Sequence, residues 1–478
     1  MVHQNESGRK PLKTLFVTLV CCSGLFAQSG LFVLTSDYAT GSLSYLEPGT
    51  TAPQMDLLTI HSDAAGRYHD GRLYVVNRLG QDNVIVLDQT NLFKPLIQFS
   101  TGNGSNPHDI AIVDRNKAYI SRYAGSSLLV VDPDNGTILS EIDLSIFADD
   151  DGKPEMAQMV LVGQYLYVAC QRLDTNGLFD PVGPSLLVVI DVGSDDIVDM
   201  DANAEGSQAI ELKGTNPASI SLRGTNLYVA VTGKFDELDG GIEVVNTITG
   251  ESSGIVISET ELGGDVTWFS MATDSKGFAV VSDPDYKNFV KPVDVAQGIV
   301  DESLSGHSGG YIPSLSVDGG RLIIPDRGTF EDPEASGLNY YSVDTHKFIA
   351  GPISVGLPPA HVVVMNDEPI PTLIEGAQGK LSSPRRSKFE SIHPNPFNSS
   401  TTISVLVSEY DHSMQLGVYD IVGRRVRLLS REPLVPGRRN IVNWDGCDEN
   451  GRIVSSGNYF IAMMANDDFV STKVTFLK

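Results

Sequence analysis

The sequence predicts an all-β protein, a closed ring of seven four-stranded blades followed by a small β-sandwich. Short strands rich in Val, Ile and Tyr recur with turn residues between them, at intervals of about 8–12 positions. The strand pattern repeats every 42 to 61 residues, the period of a four-stranded propeller blade. The strand count is also odd at both ends, so that the two ends together complete one blade and leave no open edge.

In chain order, Arg9, Lys10 and Lys13 precede a mostly apolar run over 15–27 that is too short to span a bilayer. Residues 1–27 therefore read as a signal peptide, with cleavage after Ala27 despite a large Leu25 at the third position before it. Cys21 and Cys22 leave a lipoprotein alternative, although neither follows the usual small residues. No later segment is apolar over the length that a membrane span requires. The mature chain is expected to be exported, either secreted or displayed on the outer cell surface. Of the four cysteines only Cys170 and Cys447 lie beyond the leader, too far apart to suggest a disulfide framework.

The clearest repeats pair one apolar strand with a second ending in Val-Val-Asp or a relative. Leu73-Tyr74-Val75-Val76 goes with Val84-Ile85-Val86-Leu87-Asp88, and Ala118-Tyr119-Ile120 with Leu128-Leu129-Val130-Val131-Asp132. Leu166-Tyr167-Val168 goes with Leu187-Val188-Val189-Ile190-Asp191, and Leu227-Tyr228-Val229 with Ile242-Glu243-Val244-Val245-Asn246. Weaker copies lie at 277–282 and 321–325, the latter with Tyr340-Tyr341-Ser342-Val343-Asp344. The first copy, Leu31-Phe32-Val33-Leu34, comes ahead of any inner strand. Inner strands are expected near Arg67, Asn106, Pro154, Asn216, Thr267, Ile312 and Pro359. The last of these, over 360–365, has no partner unless it pairs with the start of the chain. The expected propeller is thus 28–365.

Residues 366–388 turn to Pro, Gly, Ser and charge and read as a linker. Residues 389–478 form a second β module of different charge, with 9 basic and 10 acidic residues against 18 and 46 over 28–365. The whole chain has 60 acidic and 34 basic side chains and a net charge of -26. Such a balance excludes nucleic acid, which needs a basic footprint.

The repeats over 31–365 resemble the seven-bladed YVTN-type propellers of bacterial exported proteins, a family that includes binding modules, surface proteins and some lactone hydrolases. The segment 147–156, with Asp149-Asp150-Asp151-Gly152 and Pro154-Glu155-Met156, looks like one found in exported propellers of this kind. The second module resembles the type A C-terminal sorting domain of the type IX secretion system, which shares an Ig-like sandwich with flagellar hook-cap domains. The matching residues are Asn395-Pro396-Phe397-Asn398, Val418-Tyr419-Asp420 with Gly423, Trp444-Asp445-Gly446, Gly451, Ser456-Gly457 and Tyr459-Phe460, then the strand over 470–477. The resemblance implies passage through an outer membrane by that machinery as partner, with the tag removed or used for attachment. The other reading is an ordinary sandwich fused to a propeller.

Propeller topology places inner-strand starts and the loops between second and third strands on one face. Three of those loops are long, over 172–185, 282–292 and 327–337, and long loops on a rigid scaffold commonly carry function. Arg78, Arg122, Arg172 and Arg327 recur at their mouths, and inner strands add His69, His108, Glu155, Trp268, Tyr311 and His361. Guanidinium groups suit carboxylate or phosphate, so the expected ligand is a small anionic or polyhydroxylated molecule with Trp268 as an apolar platform. The competing account is that each arginine pairs with a local carboxylate such as Asp70 or Asp109 and braces the blades. His69, His108 and His361 come from adjacent blades and give the ligand number of a catalytic zinc site, although nothing in the sequence makes them converge. Asp149-Asp150-Asp151-Gly152 offers closely spaced oxygens suited to calcium, and an Asp-rich turn before Pro154 is the simpler account. A turn likewise accounts for Asp445, Asp448 and Asn450. No metal or other cofactor is assigned.

The chain has no Gly-x-Ser-x-Gly elbow, His-Glu-x-x-His helix or phosphate loop. The expected function is accordingly a binding or interaction module, for a small molecule, a glycan or a protein. A lactonase-like extracellular hydrolase acting on a small anionic or sugar-derived substrate is the alternative, and a structural surface component is a third.

Overall fold

The structure, a computed structural model, describes residues 29–478 except 92–93, 202–203, 205, 367–387, 408–414, 421–422, 431–433, 435–438, 450 and 466–467. The expected leader, most of the expected linker, and Asn450 lie outside the described residues.

Seven antiparallel sheets follow one another between Leu31 and Val364. We number them as blades one to seven, each with its first strand innermost. Blade one takes that strand from the far end of the propeller, Pro359–Val364, and continues with Leu31–Ser36, Gly41–Leu46 and Gln54–Ile60. Blades two, three and four begin with Ala64–His69, Pro107–Asp114 and Met156–Val162; blades five, six and seven begin with Pro217–Arg223, Asp265–Met271 and Ser316–Asp318. Each first strand neighbours that of the next blade, and the seventh neighbours the first, so the ring is closed.

Strand burial explains why the middle strands were the easiest to read. Leu31–Ser36 is buried throughout, and Arg72–Asn77 and Lys117–Arg122 nearly so, because both faces of a blade are covered by neighbours. Alternate side chains then enter different cores. Leu73 and Val75 pack with Phe32 and Leu34 of blade one, whereas Tyr74 and Val76 pack with Ile110 and Ile120 of blade three. Seven such clusters are each shared by two consecutive blades, the last joining Ile323 and Leu338 of blade seven to Val33 and Val362 of blade one. Outer strands such as Thr137–Asp143 are mostly exposed and carry little of this signal. Blades one and two approach closely enough that a Cβ on Gly66 would meet Val363 Cγ2 at 2.8 Å.

Two local expectations are corrected. The long loop expected over 282–292 is shorter, because blade six has a third strand at Asn288–Asp294. Lys291 and Pro292 interrupt its apolar run and hide it. In blade seven Ile312, Ser314 and Leu315 are buried without being in a strand, and pairing begins only at Ser316. Gly309, Gly310 and Pro313 favour that irregular approach.

Beyond the propeller, a three-stranded sheet (Lys388–His393, Thr401–Leu406, Arg439–Trp444) and a four-stranded one (Arg425–Leu428, Gln415–Tyr419, Gly457–Ala465, Asp468–Phe476) share one apolar core. Trp444 is fully buried at its centre, edge-on to Phe397 at 5.2 Å and Tyr459 at 5.3 Å, and its Nε1 donates to the Cys447 carbonyl. Asn395 Nδ2 donates to the Lys473 carbonyl at 3.1 Å while its Oδ1 accepts the Thr475 N–H at 2.9 Å, which ties the start of the module to its last strand. Asp420 caps the turn through the Arg424 N–H, and Gly423 sits in it at a φ of 80°. Gly446 has a φ of 70° and would place a Cβ 2.7 Å from Phe476, so no larger residue fits there without a shift. These motif residues therefore have structural roles within the sandwich. Among the described residues no helix is long and apolar enough to cross a membrane.

Candidate functional site

A funnel of about 440 Å³ opens on the ring axis. Every blade contributes to it: His361 from blade one, Arg67 from two, His108 from three, Gln158 from four, Ala218 from five, Trp268 from six and Pro313 from the approach to seven. Its inner wall is held together by side-chain bonds between consecutive blades. Ser121 Oγ donates to the Ala157 carbonyl at 2.7 Å, Gln158 Oε1 accepts the Ile220 N–H at 2.5 Å, and Ser219 Oγ accepts the Phe269 N–H at 2.8 Å. Ser270 Oγ donates to the Leu315 carbonyl and Ser316 Oγ to that of Val362, each at 3.1 Å.

The lining carries an ion pair between blades two and three. Arg67 Nε and Nη2 donate to the two oxygens of Asp109 at 2.8 and 2.6 Å. Asp109 is buried, and it also accepts the backbone N–H of Met159 in blade four at 2.8 Å. Burial opposes both charges, but the partner outweighs it, so Asp109 is held below the usual carboxylate range and Arg67 above its ordinary value. From the sequence, Asp109 is expected only as a brace for the recurring arginines, and Arg67 has no expected site role. The available signal was an arginine in mid-strand, where the other copies carry apolar or small residues.

Of the eight residues expected at a ligand site, five line the funnel: Arg78, Arg327, His108, Trp268 and His361. Arg78 is paired with Asp63, its Nε donating at 3.0 Å. Arg327 donates through Nη2 to the Ser36 carbonyl at 2.7 Å and lies over the Tyr38 ring, 4.2 Å from its centroid. No carboxylate pairs with it among the described residues. His108 stacks on Tyr123 at 5.7 Å. Desolvation, followed by the nearby Arg78 charge, lowers His108 to about 3, and desolvation followed by Arg67 lowers His361 to about 4. Both rings are therefore neutral at pH 7. Trp268 Nε1 donates to Ser270 Oγ at 3.1 Å.

The other three do not reach the funnel lining. His69 ends the inner strand of blade two beside the hairpin to Arg72, at the end opposite the funnel residues Ala64 to Arg67. The three histidines accordingly form no group that could hold a metal. Arg122 pairs with Glu141 at 2.5 Å and donates to the Ser127 carbonyl, and Arg172 donates to the Pro184 carbonyl at 2.9 Å. Asp70 pairs with Arg115 rather than with any of the four recurring arginines.

Backbone register accounts for this division. In blades two, three and four the residue just after the second strand donates its N–H to the carbonyl of the residue just before the first, as Arg78 does to Asp63, Tyr123 to Asn106 and Gln171 to Glu155. In blade seven Arg327 donates likewise to Tyr311, on the approach to the first strand. Arg78 and Arg327 thus occupy the same position. Arg122 lies one residue earlier and Arg172 one later, so their side chains leave the strand in the other direction.

A separate cluster lies beside blade four. Asp149, Asp151 and Glu155 each present an oxygen within 4.8 Å of the others, the one such group among the described residues. Burial pushes Glu155 up to about 8 against the lowering effect of the Leu173 N–H, and the Asp149 and Asp151 charges push the same way as burial.

No family model matches the chain, and no curated protein does. Among solved structures it is similar to PorZ, an essential surface component of the type IX secretion system of Porphyromonas gingivalis, at 14% identity and a TM-score of 0.42. That alignment covers 92% of this chain and 64% of PorZ, so the chain spans under two thirds of that protein's length. It is also similar to a 6-phosphogluconolactonase-like protein of Bacteroides fragilis, at 13% identity over 71% of this chain and 98% of that one, with a TM-score of 0.49. AztD of Citrobacter koseri is similar at 11% identity over 70% and 98%, with a TM-score of 0.44. Likeness at this level transfers no residue role. The sheet order and the shared cores identify the chain by architecture, as a β-propeller followed by a β-sandwich module.

Proposed function

We propose that this protein is an exported propeller, secreted or held at the cell surface, that acts as a binding module for a small anionic or polyhydroxylated ligand. The observation that carries the reading is Arg327. It is a guanidinium at the funnel mouth without a carboxylate partner among the described residues, backed by Tyr38 and sharing the cavity with Trp268 and Tyr311. A planar cation beside aromatic faces suits a carboxylate or phosphate attached to a sugar-like body. The two carboxylates of the lining, Asp63 and Asp109, are both engaged by arginine, and the two imidazoles are neutral. With both carboxylates engaged, the general base of a hydrolase would have to be His108 or His361, which burial makes weak bases at about 3 and about 4, and this favours binding over the lactonase-like alternative.

The test is calorimetric titration of the mature chain with a panel of sugar acids, sugar phosphates, dicarboxylates and neutral sugars. An anionic member is expected to bind, and Arg327→Ala to weaken it by roughly tenfold or more, the worth of a charge-assisted hydrogen bond. Equal affinity in wild type and Arg327→Ala would remove the funnel mouth as the site.

Residues 1–27 and 389–478 are proposed as the leader and the type A sorting domain of type IX secretion, on the motif residues quoted above. In a host that carries this machinery, a chain lacking 389–478 is expected to remain in the periplasm. Surface delivery of that shortened chain would refute the sorting role.

A further inference from the structure

The cluster beside blade four lies apart from the funnel, and its chemistry is that of a cation site. Glu155 is fully buried, yet its Oε1 has no hydrogen-bond partner, and Asp149 Oδ2 is buried and unpartnered in the same way. A buried carboxylate oxygen with nothing to bond is costly. Both residues belong to a group whose ligand oxygens lie within 4.8 Å of one another. Two oxygens on one calcium ion, each at about 2.4 Å, can be no more than roughly 4.8 Å apart. The spacing of all three carboxylates therefore meets the limit for sharing one such ion.

Comparison within the ring makes Glu155 stand out. The position before the first strand, marked by its carbonyl accepting an N–H from the residue after the second strand, is occupied in blades three and five by Asn106 and Asn216. Those amides are satisfied: Asn106 Oδ1 accepts the Leu79 N–H, and Asn216 bonds Gln171 and the Gly233 carbonyl. In blade four the same position carries a carboxyl side chain, and only one of its oxygens has a donor, the Leu173 N–H at 3.2 Å.

We propose that Asp149, Asp151 and Glu155 bind one calcium ion that fastens the connection before blade four to its long loop over 172–185. The donor set is all oxygen and carries three formal negative charges, which suits a hard cation with flexible coordination better than zinc. Asp151 already accepts Thr175 Oγ1 at 2.9 Å, and Glu155 the Leu173 N–H, so the ion would join groups that hold this loop at its near end. Lys153 Nζ lies 2.8 Å from Asp151 and serves as an internal cation that the ion must displace from that oxygen.

The test is calcium titration of the chelator-treated full mature chain, by calorimetry and by thermal unfolding, with magnesium and zinc as comparators. One calcium per chain and an upward Tm shift of a few degrees are expected, with magnesium weaker. Glu155→Gln and Asp149→Asn are expected to lower calcium affinity by roughly tenfold or more, and Lys153→Ala to raise it. The readout is the calcium-dependent shift within each variant, so a change in basal stability does not disguise it. Lys153→Ala keeps the idea open to refutation should the carboxylate variants fail to fold. No calcium response in the wild type would overturn the proposal, as would a response unchanged by Glu155→Gln or by Lys153→Ala.

Discussion

A chain that stops at Leu357 is expected not to form the closed ring, whereas a chain that stops at Met365 is expected to keep it. The eight residues that separate the two contain the inner strand of blade one. Pro359–Val364 pairs with Leu31–Ser36, from Leu31 opposite Val364 to Thr35 opposite Pro359. The zipper is bounded by the Ser36 N–H to the Pro358 carbonyl and by the Met365 N–H to the Gly30 carbonyl, both at 2.8 Å. Its side chains serve two cores at once: Val362 packs with Val33 and Ile323, and Val363 with Phe32 and Leu73. Removing the two valines alone forfeits about 1.5–3 kcal/mol each. The unmatched edge of Leu31–Ser36 and the lost bond from Ser316 to Val362 add to this. The total consumes much of a typical 5–15 kcal/mol stability. Urea unfolding followed by circular dichroism, with size-exclusion chromatography for aggregation, distinguishes the two chains. Coincident unfolding midpoints for both would mean that the closure is not what holds the ring.

That closure was legible because it rests on counting. A strand such as Leu31-Phe32-Val33-Leu34 with no inner strand before it, and Ala360 to Met365 with none after it, leaves one arrangement that pairs every edge. The middle strands were legible for a different reason, their burial on both faces, which selects long runs of Val, Ile, Leu and Tyr. Where a strand departs from that composition the sequence says little, as Asn288–Asp294 with its Lys291 and Pro292 demonstrates. The funnel was half legible. Topology places strand starts and the following loops on one face, which led to Arg78, Arg327, His108, Trp268 and His361. The same reasoning picked Arg122 and Arg172, because a shift of one residue is invisible without the ladder that fixes register. His69 was placed by blade and not by position along its strand. Pairing between blades was beyond reach, since it depends on how neighbouring blades pack against each other. Asp109 was considered as a partner for the recurring arginines, and its actual partner is Arg67, from an inner strand with a weak repeat signal.

Arg67→Met and Asp109→Ala should be the most damaging single substitutions in the funnel, and unequally so. Breaking a buried pair by removing one partner costs about 3–5 kcal/mol, because the remaining charge stays desolvated. Arg67 keeps about a third of its side chain exposed while Asp109 is almost wholly covered, at 36% and 6%. A guanidinium left behind by Asp109→Ala can therefore recover some water. That variant, however, also strands the buried Met159 N–H and removes the bond from Asp109 to the Ile110 N–H. Asp109 joins three blades, so its loss is expected to reach the upper end of the range, with Arg67→Met nearer the lower end. The pair also sets a pH dependence. A carboxyl held below its ordinary value contributes stability that is fully present above about pH 4 and is lost as pH falls through its folded value. Urea midpoints measured from pH 7 down to pH 3 are expected to fall for the wild type at the acid end. They should fall less steeply for Arg67→Met, whose Asp109 has lost the partner that held it ionised. A cost below about 1 kcal/mol for both variants at pH 7 would class the pair with surface ion pairs. The inner wall of the funnel would then owe its rigidity to the serine and glutamine bonds between strands.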